Sequence, residues 1–413
     1  MMSMLVEQEV RNLQYKKFSA YGFLRNLRFF DAFFILFLVQ QGLSYTQIGV
    51  LYAVREVAIN LLEIPSGMVA DTFGRRRTLV ISFLSYIVSF LIFFLSTNFY
   101  LYLLSFILFG AGDAFRSGTH KGLIMTYLKQ KGWSDQKITY YGHTRSWSQR
   151  GAALSSLIAG VIVFAGGNYR YIFLLSTIPY IINLFLVISY PDELDDIIKT
   201  SKKKSLRDTF KALVLSLKDL RVMKLISQSA LHSAYLKAIK DYIQVLMLQV
   251  VLLFPLISGV ERDQQNGLLI GGFYFIIYLM NSFASKSASH LEKRNRRIVF
   301  VTLLAGFTAG IVSGLFYEIG LVIPALISFI LIYIIENIRK PVMTGYVADR
   351  VSEEVLSSVL SAQSQIKTFM TAAIALVFGI IADKFGVAWS LSITSGILMF
   401  SICVLSLVRT NKS

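Results

Sequence analysis

The sequence predicts an all-α membrane protein of 12 transmembrane helices in two six-helix halves, with both termini cytoplasmic. Its 413 residues are 55% hydrophobic and only 16% charged, whereas soluble proteins keep about a quarter of their residues charged. Apolar runs of the ~20 residues needed to cross a bilayer recur along the whole chain. A single long polar connection, Asp192 to about Ser227, stands between the sixth run and the seventh. It divides the chain into an N-terminal half, 1–191, a cytoplasmic linker, 192–227, and a C-terminal half, 228–413.

Met1 to Lys17 is mixed polar, with Glu7, Glu9, Arg11, Lys16 and Lys17 and no apolar core before a small-residue cleavage site, so no removable signal peptide is expected. The expected spans are 22–42, 46–68, 78–97, 99–125, 142–165, 170–190, 228–256, 267–285, 298–316, 320–340, 357–381 and 387–408. Connections after the even-numbered spans carry Arg75 to Arg77, Lys129 to Lys137, Lys199 to Lys211, Lys293 to Arg297 and Arg350. The opposite connections carry only Arg170, Arg262 and Lys384. Positive charge marks cytoplasmic loops, which fixes the expected orientation. In the linker, Leu206, Phe210, Leu213, Leu217 and Leu220 recur at helical spacing against Arg207, Lys211 and Lys218. That pattern fits a helix lying on the membrane surface; an amphipathic target for a partner protein is the alternative.

The net charge of +17 raises nucleic acid as a partner, but the basic residues sit in short clusters between spans, as loop charges do. The single cysteine, Cys403, forms no internal disulfide. There is no GxxxxGKS phosphate loop, the four histidines have no metal-ligand spacing, and no nucleophile stands in a triad context. No enzyme activity, metal or cofactor is expected.

The connection between the second and third spans reads Gly67-Met68-Val69-Ala70-Asp71-Thr72-Phe73-Gly74-Arg75-Arg76-Arg77. Gly67 permits close helix approach, Asp71 puts a carboxylate near a helix end, and Gly74 suits a tight turn. This GxxxDxxGRR pattern resembles the signature between helices 2 and 3 of major facilitator superfamily transporters, and the resemblance extends over essentially the whole chain. It implies that Asp71, Arg75, Arg76 and Arg77 form a latch opened and closed during alternating access. Glu63, just before Pro65-Ser66-Gly67, is placed with that latch. Arginines after an apolar run are also ordinary topology determinants. A second GxxxDxxG, Gly379 to Gly386, lacks the arginines and is expected to be a turn between the last two spans. The symmetry-related site after the eighth span, Glu292 to Arg297, is a degenerate version.

Charge inside the spans is ordered. The third, ninth and twelfth spans contain none, and the sixth has only Arg170 at its outer end. Such a period implies three-helix units used four times, with the first, fourth, seventh and tenth helices lining a central cavity. Those helices carry Asp31, Asp113, Asp241 and Glu336, each with a cation one turn away: Arg28, Arg116, Lys237 and Arg339. Charges within a bilayer are costly and mark function by default. In one reading each carboxylate and its neighbouring cation neutralise one another while the basic side chain snorkels. In the other, at least one carboxylate cycles a proton as the cavity alternates its exposure, with Asp31 and Asp113 the preferred sites by resemblance, and Asp241, Glu336 and Glu56 further candidates. Arg28, Arg116, Lys121, Lys237, Lys240, Arg339 and Gln244 are the candidate substrate contacts. Adjacent Arg55 and Glu56 diverge by about 100° on a helix and are expected to have separate partners. His120 is expected to be a hydrogen-bonded interface residue, and intramembrane Asn and Gln to join helices.

By resemblance to bacterial drug and metabolite exporters, the expected function is proton-coupled efflux of a small organic solute across the cytoplasmic (inner) membrane by a multi-pass, monomeric protein surrounded by lipid. The helix-5 segment Gly151 to Gly160 has small residues but no proline, a departure from the antiporter signature. Proton-coupled uptake or exchange of an organic anion is the alternative raised by the basic residues, and a ligand sensor without net flux is another.

Overall fold

The computed structural model describes residues 12–133, 136–195, 220–255, 259–291, 297–348 and 353–407. No strand occurs among them. The α-helices are α1 Leu13–Arg25, α2 Phe34–Gln40, α3 Tyr45–Phe73, α4 Arg75–Leu95, α5 Phe99–Arg116, α6 Thr119–Gln130 and α7 Lys137–Gly166. There follow α8 Arg170–Ile188, α9 Leu220–Ile239, α10 Ile243–Val251, α11 Arg262–Leu291, α12 Arg297–Glu318, α13 Val322–Ala348 and α14 Glu353–Leu407. Among the described residues, seven helical stretches are long and apolar enough to cross a membrane, and the chain is a multi-pass membrane protein. The surface helix expected around Leu206 to Leu217 lies outside the described residues.

Two expected spans are broken helices. The range 22–42 becomes α1, a 3-10 turn at Phe29–Ala32 and α2, while 228–256 becomes α9, a 3-10 turn at Lys240–Tyr242 and α10. Asp31 sits in the first turn and Asp241 in the second. The fourth range divides at Gly118, whose φ of +74° ends α5 before α6 begins. The last two ranges are the arms of α14, bent at Gly386 with φ 84° and ψ 165°. Gly74, N-cap of α4, has nearly the same conformation, φ 95° and ψ 151°.

The chain forms two compact units. The first is Met1–Phe33, Ala58–Ser201 and Leu256–Tyr278; the second is Phe34–Val57, Lys202–Pro255 and Leu279–Ser413. In the first, α4 packs against α5 and α8, and α1 against α7 and α8. Its centre is aromatic: Phe30, Phe83, Tyr86, Phe90, Phe109 and Tyr180 meet largely edge to face. In the second, α12 packs against α13 and α14, and α9 against the same two helices. On α4, exposed Ile81, Leu84, Val88, Leu91 and Leu95 recur at helical spacing, a face suited to lipid.

Backbone contact at glycine holds several helix pairs together. A Cβ on Gly160 of α7 would lie 2.8 Å from the Gly267 carbonyl of α11, and one on Gly271 would lie 2.7 Å from the Ser156 carbonyl. Gly67 differs from expectation, because a Cβ there would meet no described atom within 4 Å, so close approach is not its role in this structure. Gly160→Val is expected to lower stability by about 1–3 kcal/mol through overpacking. Gly272→Val, which enters open space, should change the melting temperature of the purified protein little.

Candidate functional site

The first unit holds a cavity of about 210 Å³ whose lining includes Tyr21, Arg25, Arg116, His120, Lys121 and Arg145. Four of these side chains are Arg or Lys, and no carboxylate lines the space among the described residues. Close packing of α1 on α7 builds its wall: Gly22 meets Ser148, and Gly151 meets the Phe23 carbonyl with no room for a Cβ. The break at Gly118 brings the first turn of α6, with His120 and Lys121, to the cavity. His120 stacks on Tyr21 with ring centroids 3.5 Å apart, and its Nε2 lies 3.3 Å from the Tyr190 hydroxyl. It is the interface histidine the sequence suggests.

Arg25 and Tyr21 line this space, and the Arg25 Nε and the Tyr21 hydroxyl are buried with no hydrogen-bond partner among the described residues. A buried donor left unpaired costs about 1–3 kcal/mol. Sequence reasoning missed Arg25 because it looked for cations one turn from a carboxylate. Arg145, near the start of the expected span 142–165, lines the cavity too.

Asp113 fixes the cations beside this lining. Its Oδ1 accepts from the Tyr86 hydroxyl at 2.5 Å, lies 3.3 Å from Arg116 Nη2 and 3.7 Å from Arg28 Nη2. The expected pairing of Asp113 with Arg116 is therefore present, and Arg28 turns towards the same carboxylate as well as towards the Tyr180 hydroxyl, 3.2 Å away. Asp31, in its 3-10 turn, lies within electrostatic range of Arg28.

In the second unit the pairing differs from expectation. Lys237 bonds Glu56 at 2.6 Å, while Asp241 accepts from the Tyr52 hydroxyl at 2.7 Å and lies 3.4 Å from Lys240. The 3-10 turn explains this change, since it takes Asp241 off the helical register that Lys237 occupies. Arg55 and Glu56 do bind one another, at 3.2 Å, contrary to expectation: the guanidinium reaches back across the diverging side-chain directions while lying 4.8 Å from the Tyr52 ring centroid. Gln244 accepts from the backbone amide of Ile35 at 2.9 Å, joining helices at the broken segment. A further cluster joins His232 Nδ1 to Glu336 at 2.7 Å, with Ser233 donating to the same carboxylate. Arg339 instead donates to Thr302 at 3.0 Å and to the Gln228 carbonyl at 2.7 Å. His232 escaped sequence analysis because nothing along the chain pairs it with a residue 104 positions away.

At the signature turn, Arg75 donates to Thr126 at 2.7 Å, and Arg76 donates to the Tyr190 carbonyl at 2.8 Å and pairs with Asp192 at 2.5 Å. Arg77 is exposed. The Ser66 hydroxyl bonds the Glu63 and Ala114 carbonyls. The Asp71 side chain lies outside the described residues, as do residues 292–296 of the degenerate copy.

The Major Facilitator Superfamily model matches residues 20–370 of the chain. The chain belongs to the Major Facilitator Superfamily. Across 96% of its length it is 23% identical to an uncharacterized transporter of this superfamily, YxaM of Bacillus subtilis, covering 96% of that protein. Among solved structures, the nucleoside transporter NupG aligns over 96% of this chain and 100% of its own, with TM-score 0.75 and 13% identity. A D-xylose-proton symporter aligns over 95% of this chain and 96% of its own, with TM-score 0.69 and 14% identity. Those structural likenesses establish the fold, and superfamily membership makes this chain a membrane transporter rather than an enzyme.

Asp113→Asn is expected to cost about 2–3 kcal/mol, because it leaves two guanidinium groups without their shared counter-charge. Tyr86→Phe removes a neutral hydroxyl that donates to Asp113 and accepts from Arg116 Nε at 3.3 Å, and should cost about 1–2 kcal/mol. Thermal melts of the two variants check the order; an equal or smaller loss for Asp113→Asn would show that the guanidinium groups do not depend on it.

Proposed function

We propose that this transporter moves a small organic anion, coupled to protons. The observation that carries the reading is the first-unit cavity, lined by Arg25, Arg116, Lys121 and Arg145 with no carboxylate among its described residues. Such a lining attracts a carboxylate or phosphate and repels a lipophilic cation. Arg25 and Tyr21 supply donors that an anionic oxygen would satisfy. Asp113 serves as the counter-charge that positions Arg28 and Arg116, and the proton resides on a buried carboxylate elsewhere. Asp31, Glu56, Asp241 and Glu336 are the candidates.

Proton symport suits anion uptake across an inside-negative membrane, because the proton offsets the anion's charge. The same site serves proton-coupled efflux, the expectation raised by resemblance to exporters, if the inward flow of protons is exchanged for outward flow of solute. In this reading transport proceeds by alternating access with the halves 1–191 and 228–413, the linker 192–227 is cytoplasmic, and Asp71 with Gly74 and Arg75 to Arg77 forms the cytoplasmic latch. The positive-inside distribution of loop charge supports that orientation in the cytoplasmic membrane.

The test is a thermal-shift screen of the purified protein against mono- and dicarboxylates, phosphate monoesters and lipophilic cations, since a ligand of the folded state stabilises it by mass action. Organic anions are expected to raise the melting temperature and cations to leave it unchanged. Arg25→Gln should weaken anion binding about 10- to 100-fold, as expected for loss of a charged hydrogen bond. Stabilisation by lipophilic cations alone would overturn the anion reading. Vesicles with an imposed pH gradient of either polarity then decide direction, and binding without flux in both would favour a sensor.

A further inference from the structure

The segment from Gly379 to Gly386, expected to be a turn, continues the first arm of α14 as far as the bend at Gly386. Asp383 Oδ1 accepts from the backbone amide of Tyr45 at 2.7 Å, and its Oδ2 accepts from that of Thr46 at 2.8 Å. These are the first two amides of α3, donors that no helix can satisfy within itself. The local sequence satisfies only the next one: Gln47 N–H bonds the Ser44 hydroxyl at 3.2 Å while the Gln47 side chain accepts from Ser44 N–H at 2.9 Å, a capping box. Two amides are left over, and a carboxylate more than three hundred residues away in sequence takes both.

Beside this cap the two backbones touch. A Cβ on Gly49 of α3 would lie 2.6 Å from the Ala375 carbonyl, and one on Gly379 would run into the Tyr45 carbonyl. The segment also repeats the signature at Gly67 to Gly74 in spacing, Gly-x3-Asp-x2-Gly, and in the conformation of its final glycine. Burial works to raise the Asp383 carboxyl, but hydrogen bonds from Thr46, Ser44 and Tyr45 outweigh it and hold the group below the usual carboxylate range. A group with a lowered pKa contributes its stabilisation above the unfolded value of about 3.9 and loses it only as the pH falls through the lower folded value, so the cap is intact at neutral pH.

We propose that Asp383 is a second latch. Its carboxylate pins the start of α3 to the end of the first arm of α14, and both bonds break when these helix ends part in the transport cycle. Asp383 is a positioning residue, acting on helix ends rather than on the transported solute. The proposal rests on the transporter reading only in requiring that the ends part, and its test needs no substrate.

The experiment uses full-length protein in vesicles with Cys403→Ser and Ala375→Cys, a site 2% exposed at the seam. A membrane-impermeant maleimide is applied from either side. Loss of an N-cap shifts an equilibrium by about fivefold, so Asp383→Ala is expected to speed labelling of the seam cysteine by about that factor from the side on which the segment lies. Asp383→Asn keeps a capping oxygen and should restore most of the protection. A cysteine replacing exposed Gln40 should label at the same rate in every background, which shows that the variants are folded. Equal labelling of the seam in Asp383→Ala and its parent, with that control unchanged, would overturn the latch.

Discussion

The cost of placing charge in hydrocarbon organises this structure. A carboxylate buried among apolar helices survives only with partners, and four have such sets: Asp113 between Tyr86, Arg116 and Arg28; Glu56 between Lys237 and Arg55; Asp241 with Tyr52 and Lys240; and Glu336 with His232 and Ser233. Each set includes at least one partner from another helix, so satisfying the charges also selects which helices pack together. Removing one member of such a set leaves an uncompensated charge, a larger penalty than the pair's own net contribution.

Helix breaks are the second consequence. Asp31 and Asp241 occupy 3-10 turns at corresponding places in the first and seventh expected spans, where the chain gives up regular hydrogen bonding. Freed backbone groups there are met by side chains. Gln244 takes the Ile35 amide, and the Tyr333 hydroxyl bonds the Lys240 carbonyl at 2.6 Å. Irregular backbone in a packed interior needs its polar groups met by protein, and these two contacts supply that.

The cavity beside α1, α6 and α7 is lined by Arg25, Arg116, Lys121 and Arg145, and Asp113 pairs with Arg116 at its edge. Its cations outnumber its carboxylates, and Arg25 and Tyr21 present donors that protein does not satisfy. Glycine makes the geometry possible, since Gly22 and Gly151 bring α1 onto α7 and Gly118 turns α6 inward. The same device, used at Gly49 and Gly379, seats α3 against α14 where Asp383 completes the helix cap.

The all-helical membrane class and the major facilitator family were legible along the chain, because span length, loop charge and the Gly67 to Arg77 spacing are properties of neighbouring residues. The close link between Asp113 and Arg116 was legible for the same reason, being a matter of helical periodicity. Tertiary structure alone decided the partners of Glu56, Asp241 and Glu336, the exposure of Arg25 to a cavity, and the reach of Asp383 to Tyr45 and Thr46. A buried charge specifies that it must be paired, but the partner is whichever donor or acceptor the packing of distant helices brings within hydrogen-bonding distance.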